Sequence, residues 1–332
     1  MKAIVMEKPG GPDVLSCRDL DIPEIQSDHD VLIRIHAAGV NPVDTKLRTN
    51  GTYFPDALPT ILGCDGAGEV VATGSAVSRF KPGDRVYYCY GGIGREAGNY
   101  AEYNVVPEHV LASAPSKTNL QTAAAAPLVL ITAWEALFDQ GKLESGQSVL
   151  IHAGAGGVGH VAIQLAKHAG ARVCTTVSSE EKAEFVRSLG ADHVILYKQE
   201  NFVESVLDWT QGDGVYLAID TVGGTTFQDT PAALAVYGNL VTLLQPPANM
   251  DWKTARIRNQ IVSFVLMLTP MYLGLHKALK HQADILENCS RLIDEGELDI
   301  QVSNVMPLTD AAQAHRRIEE GHNVGKIVLS IA

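Results

Sequence analysis

From Gln147 to Arg172 the chain reads QSVLIHAGAGGVGHVAIQLAKHAGAR, and few folds accept such a stretch. Residues 148–152 form a short apolar run, as in a strand buried on both faces of a parallel sheet. The run breaks into Gly154-Ala155-Gly156-Gly157-Val158-Gly159, which fits Gly-x-Gly-x-x-Gly. Val158, Val161, Ala162, Leu165, Ala166 and Ala169 then recur at helical spacing, and Gly170 stands where a helix would stop. Strand, glycine turn and helix in immediate succession predict a dinucleotide site. Gly154 permits the tight turn, Gly156 lets backbone approach a pyrophosphate, and Gly159 lets the helix pack against the strand. The helix start adds unpaired N–H groups and the positive end of a dipole.

The surrounding pattern extends this unit. Strand-like runs at 172–177, 193–196, 215–220, 240–244 and 261–266 alternate with helical patterns at 180–189, 201–209 and 225–235. The fold class expected is α/β, a Rossmann-like doubly wound parallel sheet whose ligands lie beyond the carboxyl ends of its strands. Residues 1–122 differ: short strands such as 31–36, 68–73 and 85–90 are separated by turn chemistry, including Asn41-Pro42 and Lys81-Pro-Gly-Asp84. They predict a β-rich, barrel-like or sandwich domain. A helix broken at Pro127 and running through 137 would connect the two. The tail reads as helices at 275–293 and 310–320 and a strand at 326–331, which could return to the first domain. The expected division is 1–122, 123–268, and 269–332 completing the first part.

With 46% apolar and 19% charged residues, 332 residues can build two cores. A net charge of −12 argues against nucleic acid or an anionic membrane as the main partner. The five cysteines are scattered, without Cys-x-x-Cys, and the opening MKAIVMEKPG lacks an apolar leader core, so reduced thiols and a cytoplasmic location are expected. The apolar stretch 261–275 is too short and interrupted to span a bilayer, which needs ~20 residues.

The order of several further motifs resembles the medium-chain dehydrogenase/reductase superfamily, in its zinc-independent quinone oxidoreductase (zeta-crystallin-like) branch. The matching pieces are Gly39-Val-Asn-Pro-Val-Asp44, Gly63-Cys-Asp-Gly-Ala-Gly68, Phe80-Lys-Pro-Gly-Asp-Arg-Val86, residues 153–159, 178–182 and 220–224, and Gly325-Lys-Ile-Val-Leu329. The resemblance implies a GroES-like substrate domain around the Rossmann-like one, and a nicotinamide ring lying between them near Asn41 and Asp44. Zinc-dependent relatives carry a Cys near Asn41 and Gly-His-Glu where this chain has Gly63-Cys64-Asp65; no metal is expected here, because a catalytic zinc takes three protein ligands. Cys64 reads as a small buried residue, and His36, His152 and His160 as packing or surface residues.

An NAD site would place an acid at the end of the second strand, beside the ribose 2′-hydroxyl. Here 172–177 is followed by Ser178-Ser-Glu-Glu-Lys182. Ser178 and Lys182, with Tyr197 matching a tyrosine of NADPH-binding relatives, point to NADP(H), although Glu180 to Lys182 would also make an ordinary solvated helix start. Asn41 suits the nicotinamide ribose or a substrate oxygen, and Asp44 fixes local hydrogen bonds. Tyr53 falls where relatives line the substrate cleft; it donates to a developing oxyanion or merely walls the cleft. Metal-free hydride transfer suits an already electrophilic acceptor, so the expected reaction is NADPH-dependent reduction of a quinone or an α,β-unsaturated carbonyl (enone). A zinc-free alcohol dehydrogenase and an NADPH-binding module with little catalysis remain open. Residues 261–266, as an edge strand, suggest pairing into a homodimer.

Overall fold

The computed structural model describes residues 1–331, which divide into two compact units. One comprises Met1–Ile131, Leu268–Gly296 and the segment from Ile300 onward; the other comprises Thr132–Met267 with Glu297–Asp299.

In the second unit six parallel strands lie in the order His193–Leu196, Arg172–Val177, Ser148–Ile151, Val215–Asp220, Leu234–Thr242, Ile261–Phe264. Counted along the chain this is the doubly wound order, reversing between Ser148–Ile151 and Val215–Asp220. Val149 sits opposite Val173 on one side and Leu217 on the other, and all three are fully buried. The central strands are therefore apolar at consecutive positions, because helices cover both faces of such a sheet. Leu150, Cys174, Ile195, Ala218 and Leu240 meet Val206 and Phe227 in one core cluster. Each large aliphatic side chain buried there contributes roughly 1.5–3 kcal/mol. The helix Gly224–Ala233 stops earlier than the pattern suggests, and the strand Leu234–Thr242 begins at once. Pro231 lies inside that helix, Tyr237 adopts φ 61°, and the pairing with Val215–Asp220 shifts register between Val215 and Leu217. An irregular strand start of this kind leaves no period-two signal.

The first unit is β-rich. A three-stranded sheet pairs Lys2–Met6 with Leu15–Asp19 and Thr60–Ile61. A seven-stranded sheet runs Val302–Pro307, Lys326–Ser330, Asp30–Val40, Asp65–Thr73, Arg85–Cys89, Ala112–Ser113, with Tyr103–Pro107 also paired to Asp30–Val40. The terminal strand does return: Leu329 lies antiparallel to Ala38. Val302–Pro307 has no counterpart in the sequence reading, since exposed and half-buried residues dominate it. The division falls at Ile131/Thr132 rather than after 122, because Leu120–Ala124 packs on the strands Asp30–Val40 and Asp65–Thr73. Pro127 does not merely interrupt a helix there; it opens a new one, Pro127–Trp134, followed by a wide π turn over Glu135–Gln140.

Asn41-Pro42, read as a turn, instead starts the helix Pro42–Asn50. Asn41 caps it, Pro42 occupies the first turn where no N–H is needed, and Asp44 reaches back to the Asn41 N–H at 2.8 Å. Only the Asp44 half of a capping box forms: the Asp44 N–H goes to the Asn41 main-chain carbonyl at 3.0 Å, and the Asn41 side chain makes no cap hydrogen bond.

Candidate active site

The glycine turn shows which of its residues the fold itself requires. A Cβ on Gly154 would lie 2.1 Å from Thr175 Oγ1, and one on Gly159 would lie 2.4 Å from the Ala153 carbonyl oxygen. Thr175 cannot yield easily, because its hydroxyl donates to the Ile151 carbonyl at 2.6 Å. Gly156 differs. Its φ of −77° suits any residue, and a Cβ there would meet only the Ala153 carbonyl oxygen, at 3.1 Å. The fold needs glycine at 156 less than at 154 or 159, since the Ala153 carbonyl would have to give by only a few tenths of an ångström, whereas a pyrophosphate approaching the start of the helix Gly157–His168 does need it. Gly156 supplies no side-chain cap, so the first N–H groups at Gly157, Val158 and Gly159 face the turn. Ala155 is buried beside them. Gly154→Ala should therefore destabilise this unit by about 1–3 kcal/mol or more through overpacking. Gly156→Ala should leave the thermal midpoint within a degree or two but weaken dinucleotide binding roughly tenfold. Melting curves and cofactor titration of both variants check the contrast.

At the carboxyl end of Arg172–Val177 stand Ser178 and Ser179, both half-buried. Ser179 caps the helix Glu180–Ser188 by accepting the Lys182 N–H at 3.4 Å. Lys182 is half-buried in the first turn of that helix, and Tyr197 stands exposed just beyond the strand His193–Leu196. No carboxylate immediately follows the second strand; Glu180 and Glu181 are exposed on the helix. His152, at the end of Ser148–Ile151, is a packing residue: its ring nitrogens face Thr176 Oγ1 at 3.2 Å and Thr230 Oγ1 at 3.0 Å. Burial lowers its pKa to about 4, against the opposing pull of Asp220.

In the first unit Asn41 and Asp44 are fully buried in one polar network. Asn41 Nδ2 donates to Asp65 Oδ2 at 2.8 Å, and its Oδ1 accepts from Lys326 Nζ. Asp65 Oδ1 accepts the Leu128 N–H at 2.8 Å, and Lys326 Nζ lies 3.6 Å from Asp65 Oδ2. Asp44 Oδ2 is 3.0 Å from Tyr100 Oη, which is 3.2 Å from His315 Nε2; His315 Nδ1 is 3.5 Å from Arg48 Nη1. Arg48 also binds Glu319 at 2.5 Å. The direction of this chain is fixed by its end. A guanidinium only donates, so His315 Nδ1 accepts and Nε2 carries the proton. Tyr100 accepts that proton's hydrogen bond and gives its own to Asp44.

Tyr53 is set apart from this network. Its ring packs against Tyr272 at 5.2 Å, it is 37% exposed, and its phenol oxygen makes no hydrogen bond among the described residues. Of the three side chains singled out from the sequence, Tyr53 alone has an open polar end at the surface; Asp44 Oδ1 also lacks a partner among the described residues, but it is buried. Sequence reasoning missed Asp65, Tyr100, His315, Arg48 and Lys326 as members of the network. Only Gly325-Lys326, flanking an apolar terminal strand, gave a signal: a lysine at the head of a buried strand needs a partner.

Two family models match the chain: an alcohol dehydrogenase GroES-like domain over residues 27–116 and a zinc-binding dehydrogenase over residues 189–329. A quinone oxidoreductase of Pseudomonas aeruginosa is 35% identical over 330 residues, covering 99% of each chain. The chain belongs to the medium-chain dehydrogenase/reductase superfamily, in its quinone oxidoreductase branch. An Arabidopsis thaliana NADPH-dependent alkenal/one oxidoreductase, chloroplastic, is 33% identical over 99% of this chain and 79% of that protein. Among solved structures, an Escherichia coli quinone oxidoreductase complexed with NADPH superposes with a TM-score of 0.87 at 28% identity, over 99% of this chain and all of that one.

The residues at the dehydrogenase zinc position of this superfamily member do not suit a metal. Asn41 is a neutral amide with both ends engaged, and Asp65 is already held by an N–H, an amide and an ammonium. The Lys326 ammonium takes the place beside Asp65 that a cation would need. Cys64 is hydrogen-bonded by Cys89 and its thiol is pushed up by burial, so it is a poor source of thiolate. Among the described residues no group of three or more His, Cys, Asp or Glu side chains is arranged to hold a metal ion.

Proposed function

We propose that this oxidoreductase uses NADPH to reduce a quinone or an α,β-unsaturated carbonyl, without help from a metal. The observation that carries the cofactor choice is the end of the second parallel strand, where Ser178 and the half-buried Lys182 stand and no carboxylate follows. A 2′-phosphate finds a cation and hydroxyls there, where a carboxylate would repel it. Gly154 to Gly159 hold the pyrophosphate, and Tyr197 lies beside the adenosine end. NADPH, when bound, supplies a hydride. A conjugated acceptor takes it at carbon or oxygen and spreads the charge, so the protein need only receive that charge rather than polarise a bare ketone. Tyr53, with its free phenol, donates a hydrogen bond to the oxygen where charge collects. Asn41 and Asp44 keep the adjoining backbone and amide in place through the Lys326–Asp65 network; they are positioning residues.

The test is cofactor oxidation with a panel of quinones, enones, saturated ketones and secondary alcohols. Substrate-dependent NADPH oxidation with quinones or enones, tenfold or more above saturated ketones, is the expected result. Equal rates with saturated ketones, or none with any acceptor, would sink the reading. Lys182→Ala should weaken NADPH binding by roughly ten- to a hundredfold and spare NADH, the lower end applying because a part-exposed pair is screened. Tyr53→Phe should lower kcat by about tenfold or more with little change in KM.

We also propose a two-fold homodimer built on the edge strand Ile261–Phe264. Ile261 and Phe264 are each 58% exposed on a strand that ends the sheet, an aggregation hazard unless covered. Light scattering should give twice the chain mass, and Phe264→Lys should halve it; a wild-type monomer would remove the proposal. Among the described residues no helix is long and apolar enough to cross a membrane. The five free cysteines, four of them buried, favour a reducing, cytoplasmic compartment, and the charge of −12 disfavours nucleic acid.

A further inference from the structure

The outer face of the seven-stranded sheet carries an open, groove-like cavity of about 570 Å³ lined by His36, Arg85, Ser116, Lys117, Thr118, Asn119, Leu120 and Gln121, of which Arg85, Ser116, Lys117 and Asn119 are exposed. Every lining residue belongs to the first unit, and none is a residue of the site above. Among the described residues the lining holds three basic side chains and no carboxylate, in a chain whose net charge is −12. Two polar atoms there, His36 Nε2 and Thr118 Oγ1, are buried and have no hydrogen-bond partner among the described residues. Buried polar atoms are left unpaired at a cost of about 1–3 kcal/mol each, so a pair beside one cavity calls for a partner beyond the described residues.

We propose that this cavity binds a small oxyanion, a phosphate or carboxylate group carried by a metabolite. Arg85 is positioned for it: one terminal nitrogen is anchored on the Thr118 carbonyl at 2.7 Å, which fixes the guanidinium and leaves its remaining N–H groups for a ligand. Thr118 adds a hydroxyl, and His36 adds an N–H when Nε2 carries the proton. Burial, then the neighbouring Arg34, holds His36 below its ordinary pKa, so it meets the anion as a neutral donor. The acids nearby are occupied. Asp294 binds Ser116 Oγ at 2.8 Å and the Lys117 N–H at 2.9 Å, while Glu69 pairs with Arg34 at 3.1 Å. Lys117 Nζ is drawn to the Asp294 carbonyl, so Arg85 carries most of the recognition.

The experiment titrates NADPH-saturated protein with inorganic phosphate and, separately, with acetate, by calorimetry at constant ionic strength set with chloride. Saturating NADPH keeps phosphate out of the proposed cofactor site; a titration that saturates without NADPH but is silent with it assigns the anion to the cofactor site and counts against the proposal. Saturable binding of one anion per chain is expected. Arg85→Gln should weaken it by about tenfold or more, and Thr118→Val by about threefold. Neither variant should alter the circular dichroism spectrum or NADPH affinity. Saturation by phosphate alone assigns a phosphorylated ligand; saturation by acetate alone assigns a carboxylate. Absence of saturable heat with either anion, or binding that survives in folded Arg85→Gln, overturns the proposal.

Discussion

Lys326→Met is expected to lower the stability of the β-rich unit by about 3–5 kcal/mol, the cost of leaving a buried charge without its partner. In a unit of this size that is roughly a 10 °C fall in thermal midpoint. Lys326 is 3% exposed and Asp65 is fully buried, so water screens little of their interaction. Without the ammonium, Asp65 keeps the Leu128 N–H, the Asn41 amide and the Cys89 thiol, none of them charged, and Asn41 Oδ1 loses its donor. Asp65→Asn alone should cost a comparable amount, since it strands the lysine instead. The double variant Lys326→Met/Asp65→Asn should be less damaging than the sum of the two, because no unpaired charge remains. Strict additivity in differential scanning calorimetry would mean that the 3.6 Å approach carries no coupling and that Lys326 answers only to the Asn41 amide and the Val40 carbonyl.

The same network shows what a sequence can and cannot disclose. Ser148–Ile151 and Gly157–His168 are legible because a buried parallel strand, a glycine turn and an amphipathic helix are each local patterns. Their agreement is what gives a glycine motif meaning. The helix Pro42–Asn50 was hidden by its own start: Asn-Pro is turn chemistry and N-terminal helix chemistry alike, and Asp44 three residues on was the only discriminating sign. His315 and Tyr100 could not be connected at all, being 215 residues apart in the chain and 3.2 Å apart in space. Lys326 and Asn41, 285 residues apart, pose the same problem. Long-range polar pairing leaves no periodicity, so the residues that hold Asn41 and Asp44 emerge only from the fold. The cavity at His36 was equally silent, because its lining comes from two strands, a loop and the start of a short helix without a motif.

Acid titration of the Arg48–His315–Tyr100–Asp44 chain should reveal two opposed contributions that nearly cancel. Burial, outweighing the hydrogen bond from Asn41 and reinforced by Asp65, raises the pKa of Asp44 from 3.8 to about 7. Burial first, then Arg48, lowers that of His315 from 6.5 to about 3. A carboxyl group raised on folding holds its proton more tightly in the folded chain, so its stabilisation is complete below pH 3.8 and is lost as pH rises through 7. A depressed imidazole does the reverse: its contribution is present above pH 6.5 and is lost as pH falls toward 3. Between pH 7 and pH 4 each is worth on the order of 3 kcal/mol, with opposite sign. In Asp44→Asn the histidine acts unopposed, and the variant should lose about 3 kcal/mol relative to wild type on acidification from pH 7 to pH 4. His315→Gln, which keeps a donor toward Tyr100 but cannot take up a proton, should gain a similar amount over the same interval. Urea unfolding at fixed pH values, followed in both variants and in wild type, measures these differences directly. The slopes are what matter, since either substitution shifts the absolute stability by removing contacts. If the three curves run parallel with pH, Asp44 and His315 keep ordinary proton affinities in the folded chain. The charge state assigned to Asp44 would then be that of a fully ionised carboxylate, permanently accepting from Asn41 and Tyr100.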